Sequence, residues 1–178
     1  SFVQASESLQ MKSNGPTVLE QWGNFRGGYS SSSEAHRPTM CFEVSPWGPL
    51  SMEACGTGAG FIHSDPGSEI AHFRTKWTAA NWILDSSQLK LQPGIGFAEL
   101  QLMADEPGFV FGSDSVGGVE TAGPEASLSL QWHHELFSGF ELVGDLNMGL
   151  GWFQHAPELA VPQNEIQPFV DLTIGLGW

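Results

Sequence analysis

The chain has 178 residues, with six Lys and Arg against twenty Asp and Glu (formal net charge −14), 40% hydrophobic residues, 22 glycines, seven tryptophans and two cysteines. A chain this long can bury one core without disulfide or metal staples, and its few scattered bases exclude a phosphate-binding surface, so no nucleic-acid partner is expected. An aromatic content of 11% argues against disorder, and no apolar run approaches the ~18 residues of a spanning helix.

Residues 1–16 show no strand pattern and lack the basic and apolar regions of a signal peptide. They read as a tail or an extra wall segment ahead of a strand-rich domain over 17–178. The first strand, about 17–29, sets Leu19, Gly23, Phe25, Gly27 and Tyr29 against Glu20, Asn24 and Arg26. That period of two gives one apolar face. Gln21 falls on the apolar side.

Two strands flank Pro46-Trp47-Gly48-Pro49: Met40, Phe42 and Val44 before it, then Leu50, Met52 and Ala54. A turn centred on Gly48 sets Thr39 opposite Thr57, Cys41 opposite Cys55, Glu43 opposite Glu53 and Ser45 opposite Ser51, all on the polar face. Directly opposed cysteines can close a cross-strand disulfide in an oxidising compartment; two buried thiols in a reducing one are the other reading. With no Cys-X-X-Cys and no basic neighbour, redox catalysis is not expected.

In the fourth strand Ala71, Phe73, Thr75, Trp77 and Ala79 alternate with His72, Arg74, Lys76 and Thr78. In the fifth, Leu89, Leu91, Ile95 and Phe97 alternate with Lys90, Gln92, Gly94, Gly96 and Ala98. Glu99 lands on the apolar side, where a bulge at Pro93-Gly94 or a position outside the hydrocarbon would accommodate it. The sixth sets Leu128, Leu130 and Trp132 against Ser127, Ser129, Gln131, His133 and Glu135, and a turn at Ser138-Gly139 leads to the seventh. There Phe140, Leu142, Gly144, Leu146, Met148, Leu150 and Trp152 oppose Glu141, Val143, Asp145, Asn147, Gly149 and Gly151. The eighth alternates Ile166, Pro168, Val170, Leu172, Ile174, Leu176 and Trp178 with Gln167, Phe169, Asp171, Thr173, Gly175 and Gly177.

The connections run long (30–37), short (46–49), medium (63–68), short (82–86), very long (102–124), short (137–139) and long (154–164). Short turns at one end and long loops at the other, with an even strand count, predict an all-β, eight-stranded antiparallel up-and-down transmembrane β-barrel. A soluble closed barrel is the architectural rival. Trp132, Phe140 and Trp178 fall near the turn end and Tyr29 and Trp152 near the loop end, the two levels of aromatic girdles.

The last strand, with Val170, Leu172, Ile174 and Leu176 at alternate positions and Trp178 at its end, resembles the carboxyl-terminal strand of bacterial outer-membrane β-barrels. The resemblance implies a bacterial outer-membrane location with the signal peptide already removed, a periplasmic position for residues 1–16, outer-membrane lipids as surroundings, and the barrel-assembly machinery as a partner during insertion.

Inside such a barrel the polar faces would gather Arg26, His72, Arg74, Lys76 and Lys90 with Glu20, Glu43, Glu53, Glu135, Glu141, Asp145 and Asp171. A salt-bridge network filling the lumen is expected. Opposed Glu43 and Glu53 need a cation, a proton or a base between them; a catalytic dyad is the other reading. His133 and His134 are adjacent on a strand and face opposite sides, so they form no common metal site, and His134 should lie beside Trp132. Small barrel deacylases resemble one another in a His-X-Ser motif, which His63-Ser64-Asp65 does not match, and no Gly-X-Ser-X-Gly occurs. Neither catalytic residues, a metal nor a cofactor is expected. The longest loop holds Asp105, Glu106, Phe109, Phe111 and Asp114, an acidic and aromatic set suited to a protein partner. The expected function is that of a structural or interaction protein, acting through external loops or docking to a larger envelope complex. A small cation-binding channel is the alternative, followed by a lipid-modifying enzyme.

Overall fold

The computed structural model describes residues 22–33, 37–57, 68–102, 120–137, 139–159 and 161–178. Its strands are β1 (Gly23–Ser30), β2 (Thr39–Trp47), β3 (Leu50–Gly56), β4 (Ser68–Trp77), β5 (Ala80–Leu84), β6 (Ser87–Leu102), β7 (Glu120–Phe137), β8 (Phe140–Trp152) and β9 (Ile166–Gly177). Each pairs antiparallel with its neighbours; β1 meets β9, and β4 meets β6. Eight strands thus close a barrel, and β5 is an extra ninth.

The expected alternation governs every wall strand. On β9, Val170, Leu172, Ile174 and Leu176 are 45–61% exposed, whereas Phe169, Asp171 and Thr173 between them are buried. The first strand begins at Gly23, and the expected residues 17–21 and the tail 1–16 lie outside the described residues. The third connection spans 57–67 and the longest 103–119, because β3 ends at Gly56 and β7 begins at Glu120. The partner-loop residues Asp105, Glu106, Phe109, Phe111 and Asp114, and Glu20 and Gln21, also lie outside the described residues.

Two readings need correction. Residues 80–84 were expected partly in a turn and form β5. Lys76 pairs with Gly94 and Ala80 with Leu91, four steps on one strand against three on the other, so a one-residue bulge at 77–79 separates β4 from β5. The cause is the loss of a neighbour: β3 starts at Leu50, and past Trp77 the Thr78 N–H donates to Pro49 O (2.8 Å) and the Ala79 N–H to Leu91 O (2.9 Å). Ser45 does not face Ser51, because the β2–β3 register shifts after Val44–Met52 to place Trp47 opposite Leu50. Glu99 keeps the outer register that its parity predicts, opposite Ala71 and Ala122 with no bulge at Pro93-Gly94, and is fully buried there.

At the loop end a small apolar cluster fills the barrel mouth, with Ile70, Ala98, Leu100 and Leu102 from the wall and Phe153, Ala156 and Leu159 from the segment after β8. A single 3-10 turn, Ala156–Glu158, carries that segment inward. Glycine in β8 makes the space: a Cβ on Gly151 would lie 2.7 Å from the Phe153 ring.

Candidate functional site

The lumen is where the polar side chains converge. Arg26 (β1), Glu43 (β2), Glu53 (β3), Lys76 (β4), Gln131 (β7) and Asp145 (β8) point inward and are all buried. Lys76 Nζ stands 2.8 Å from Glu43, 2.7 Å from Glu53 and 3.4 Å from Asp145. The Arg26 guanidinium donates to Glu43 at 3.0 Å and also pairs with Glu53 and Asp145. Gln131 Nε2 donates to Glu43 (2.8 Å) and Asp145 (3.1 Å), and Ser129 Oγ donates to the other Asp145 oxygen (2.7 Å). Carboxylate oxygens of Glu43, Glu53 and Asp145 lie within 4.8 Å of one another, the spacing of a cation site. The cations filling it are Arg26 and Lys76. A base therefore separates Glu43 from Glu53, one of the three solutions their opposition required, and the guanidinium fork lets one residue serve several carboxylates.

Toward the loop end lies a second cluster. Arg74 approaches Glu53 (3.2 Å), Glu125 (3.3 Å) and Asp171 (3.6 Å), and its guanidinium carbon sits 5.1 Å from the centre of the Phe169 ring. His72 Nδ1 is 2.6 Å from Glu125, with its own ring 4.3 Å from Phe169. Ser30 Oγ donates to Asp171 at 2.6 Å. Toward the turn end, His133 Nδ1 is 2.8 Å from Glu141 and its Nε2 is 2.7 Å from Gln131. From turn end to loop end the lumen thus runs from His133–Glu141, through the Arg26–Lys76 cluster and the Arg74 cluster, to the apolar mouth.

All eight residues expected in the network, Glu43, Glu53, His72, Arg74, Lys76, Glu141, Asp145 and Asp171, are buried on the inner face. Glu141 stands apart from the other seven and pairs instead with His133. Glu135, expected inside, is exposed: it sits at the turn end beside the β7–β8 register shift, past the filled part of the lumen. Glu125, expected in the loop, is an inner β7 residue that joins Arg74 to His72. Extending the alternation of Ser127, Ser129 and Gln131 back by one step reaches Glu125, but Pro124 disguised the strand. Lys90 is half-buried and forms no ion pair with the described residues.

The Cys41–Cys55 disulfide is present, linking opposed inner positions of β2 and β3 with both cysteines buried. Val170, Leu172, Ile174, Leu176 and Trp178 all point outward, 41–61% exposed. The Trp132 and His134 rings stack at 5.6 Å, as their positions on one face predict, and His134 Nδ1 is 2.9 Å from Ser87 Oγ. This Ser–His contact has no carboxylate on the histidine among the described residues, so it lacks the orienting third member of a nucleophile set. Comparison of the chain with protein-family models, curated proteins and solved structures found no match.

Proposed function

We propose that this chain is an integral β-barrel of the bacterial outer membrane that serves as a structural or interaction protein. One observation carries the reading: the fold is inverted. Fully buried side chains include Arg26, Lys76, His72, His133, Gln131 and Glu43, while Phe25, Phe42, Met52, Ile95, Leu128, Leu146, Met148, Leu150, Val170, Leu172 and Ile174 stand outward in a band around the wall. A soluble monomer seldom exposes a contiguous apolar patch above a few hundred Å², whereas a bilayer solvates such a band and rewards a polar interior.

Dimensions support this. The twelve steps from Ile166 to Trp178 on the outer face of β9 span about 40 Å along the strand, which a tilt of 35–45° reduces to about 30 Å of height. That matches the hydrocarbon band plus its aromatic borders. Trp22, Trp47, Trp77, Phe137, Phe140 and Trp178 stand exposed near the turn end, and Tyr29 and Trp152 near the loop end. Side chains from opposite walls meet in the lumen and the mouth is apolar, which favours a scaffold over a channel.

The test is reconstitution. The protein should float with phospholipid vesicles and migrate differently on gels with and without heating, while planar bilayers holding it show no steady conductance. A chain that stays soluble without detergent and shows no heat shift overturns the membrane reading; ohmic conductance overturns the scaffold role in favour of the channel.

A further inference from the structure

Most of the exposed apolar side chains lie on the outer face of the wall strands, but β5 differs. This strand, Ala80-Asn81-Trp82-Ile83-Leu84, pairs with β6 alone, so among the described residues its other edge has no strand beside it. Trp82 and Leu84 pair with Leu89 and Ser87 on the outer register, where a bilayer interface would cover them. Ile83 pairs with Gln88, whose side chain is buried on the inner register, yet Ile83 itself is 45% exposed. A bilayer outside the wall covers neither Ile83 nor the open edge. Edge strands normally carry charge, proline or a covering segment that blocks pairing, and this one has none of the first two.

We infer that β5 is a docking edge for an extended, apolar and Lys- or Arg-bearing segment of another protein, which adds to the sheet at the turn end. Main-chain hydrogen bonds would supply binding, and alternate side chains would rest on Trp82 and Ile83. Charge selects this occupant. Among the described residues, the exposed charges at this end of the hairpin are Asp85, directly after the strand, and Glu135 on β7, across β6 from it, whose N–H donates to Ser86 O at 3.2 Å. Neither forms an ion pair among the described residues, while Lys76 is buried in the lumen and Lys90 faces into it. A second copy fits poorly, since two chains of net charge −14 repel and a five-residue edge offers little of the roughly 800 Å² per partner that a stable interface buries. The inference rests on the membrane reading, because lipid is what leaves Ile83 and the edge as the uncovered remainder.

The probe is a labelled peptide of alternating valine and threonine with two lysines at each end, titrated against the barrel in lipid nanodiscs. Saturable binding is expected, at least tenfold weaker for Ile83→Lys and for Asp85→Lys with Glu135→Lys, both variants keeping the heat shift of the parent. A peptide N-methylated at every residue of its valine–threonine stretch, with the same side chains and charge, has no free N–H on either edge and should not bind. No saturable binding to a barrel that floats with vesicles overturns the proposal and leaves the membrane reading standing; failure to float removes the membrane reading instead. Equal binding of the N-methylated peptide, or of one flanked by glutamates, overturns strand addition or the basic partner. A dimer on native mass spectrometry that Ile83→Lys dissociates would assign the edge to self-pairing and overturn the proposal too.

Discussion

Glu43 and Glu53 face one another across β2 and β3 and share a single ammonium, that of Lys76, at 2.8 and 2.7 Å. Arg26 holds the same pair from β1. The arrangement does not need to be strongly stabilising in sum, because removing ions from water offsets much of their attraction. Breaking it is another matter.

Lys76→Met should lower the unfolding free energy by about 3–5 kcal/mol, since it leaves buried carboxylates short of a cation. Adding Glu53→Gln to Lys76→Met should recover part of that loss. Urea unfolding of the refolded barrel, followed by tryptophan fluorescence, gives both numbers, and strict additivity of the two substitutions would refute a shared network.

Leu172 sits mid-way along β9, 61% exposed. Leu172→Arg should cost about 2–4 kcal/mol if the position lies near the bilayer midplane, whereas a surface strand in water tolerates the change within about 0.5 kcal/mol. Folding equilibria in vesicles distinguish the two, and a neutral result argues for a soluble barrel.

Cys41 and Cys55 are 2% and 5% exposed inside the lumen, at a sequence separation of 14. Without reductant, mass spectrometry after alkylation should find no added label. A small water-soluble reductant should act only once denaturant opens the barrel, and the reduced chain should be less stable by about 2–4 kcal/mol. Two labels on native, unreduced protein would remove the disulfide.

Gly149 has no room for a side chain, because a Cβ there would lie 2.4 Å from Ala126 O and 2.5 Å from Phe169 Cζ. Gly149→Ala should destabilise by about 1–3 kcal/mol through overpacking. Phe169→Leu in the same chain should restore a fraction only, since it relieves the ring but not the carbonyl. Thermal melts in detergent measure it.

Much of the barrel was legible because a half-buried strand writes its orientation every second residue. The alternation around Glu43, His72, Arg74, Asp145 and Asp171 marks the lumen face, and the expected hairpin register joins Cys41 to Cys55, although the shift between Val44 and Trp47, rather than a turn centred on Gly48, delivers it. The failures lie where period two is broken or masked. Thr78 and Ala79 carry no strong polarity, so nothing announced the bulge that starts β5. Pro124 hid the first turns of β7 and with them Glu125. Which carboxylate shares which base could not be read, because Arg26 reaches Asp145 across the lumen and such reach depends on barrel curvature rather than on neighbours in sequence.

Some of the lumen pairs, Arg26–Asp145, Lys76–Asp145, Arg74–Glu125 and Arg74–Asp171 among them, reach between the two halves of the sheet. Inward groups on β1 to β4 are Arg26, Arg74 and Lys76 with Glu43 and Glu53; those on β6 to β9 are Lys90 with Glu125, Glu141, Asp145 and Asp171. The amino-terminal half is therefore biased positive on its concave side and the carboxyl-terminal half negative. Two curved sheets of opposite sign attract before their edges touch, so the Arg26–Asp145 pair (β1 with β8) and the Arg74–Asp171 pair (β4 with β9) would draw the two halves together across the lumen. A sheet that curled without closing would keep its two charged faces unmatched, which gives the chain an electrostatic check on whether its barrel is complete.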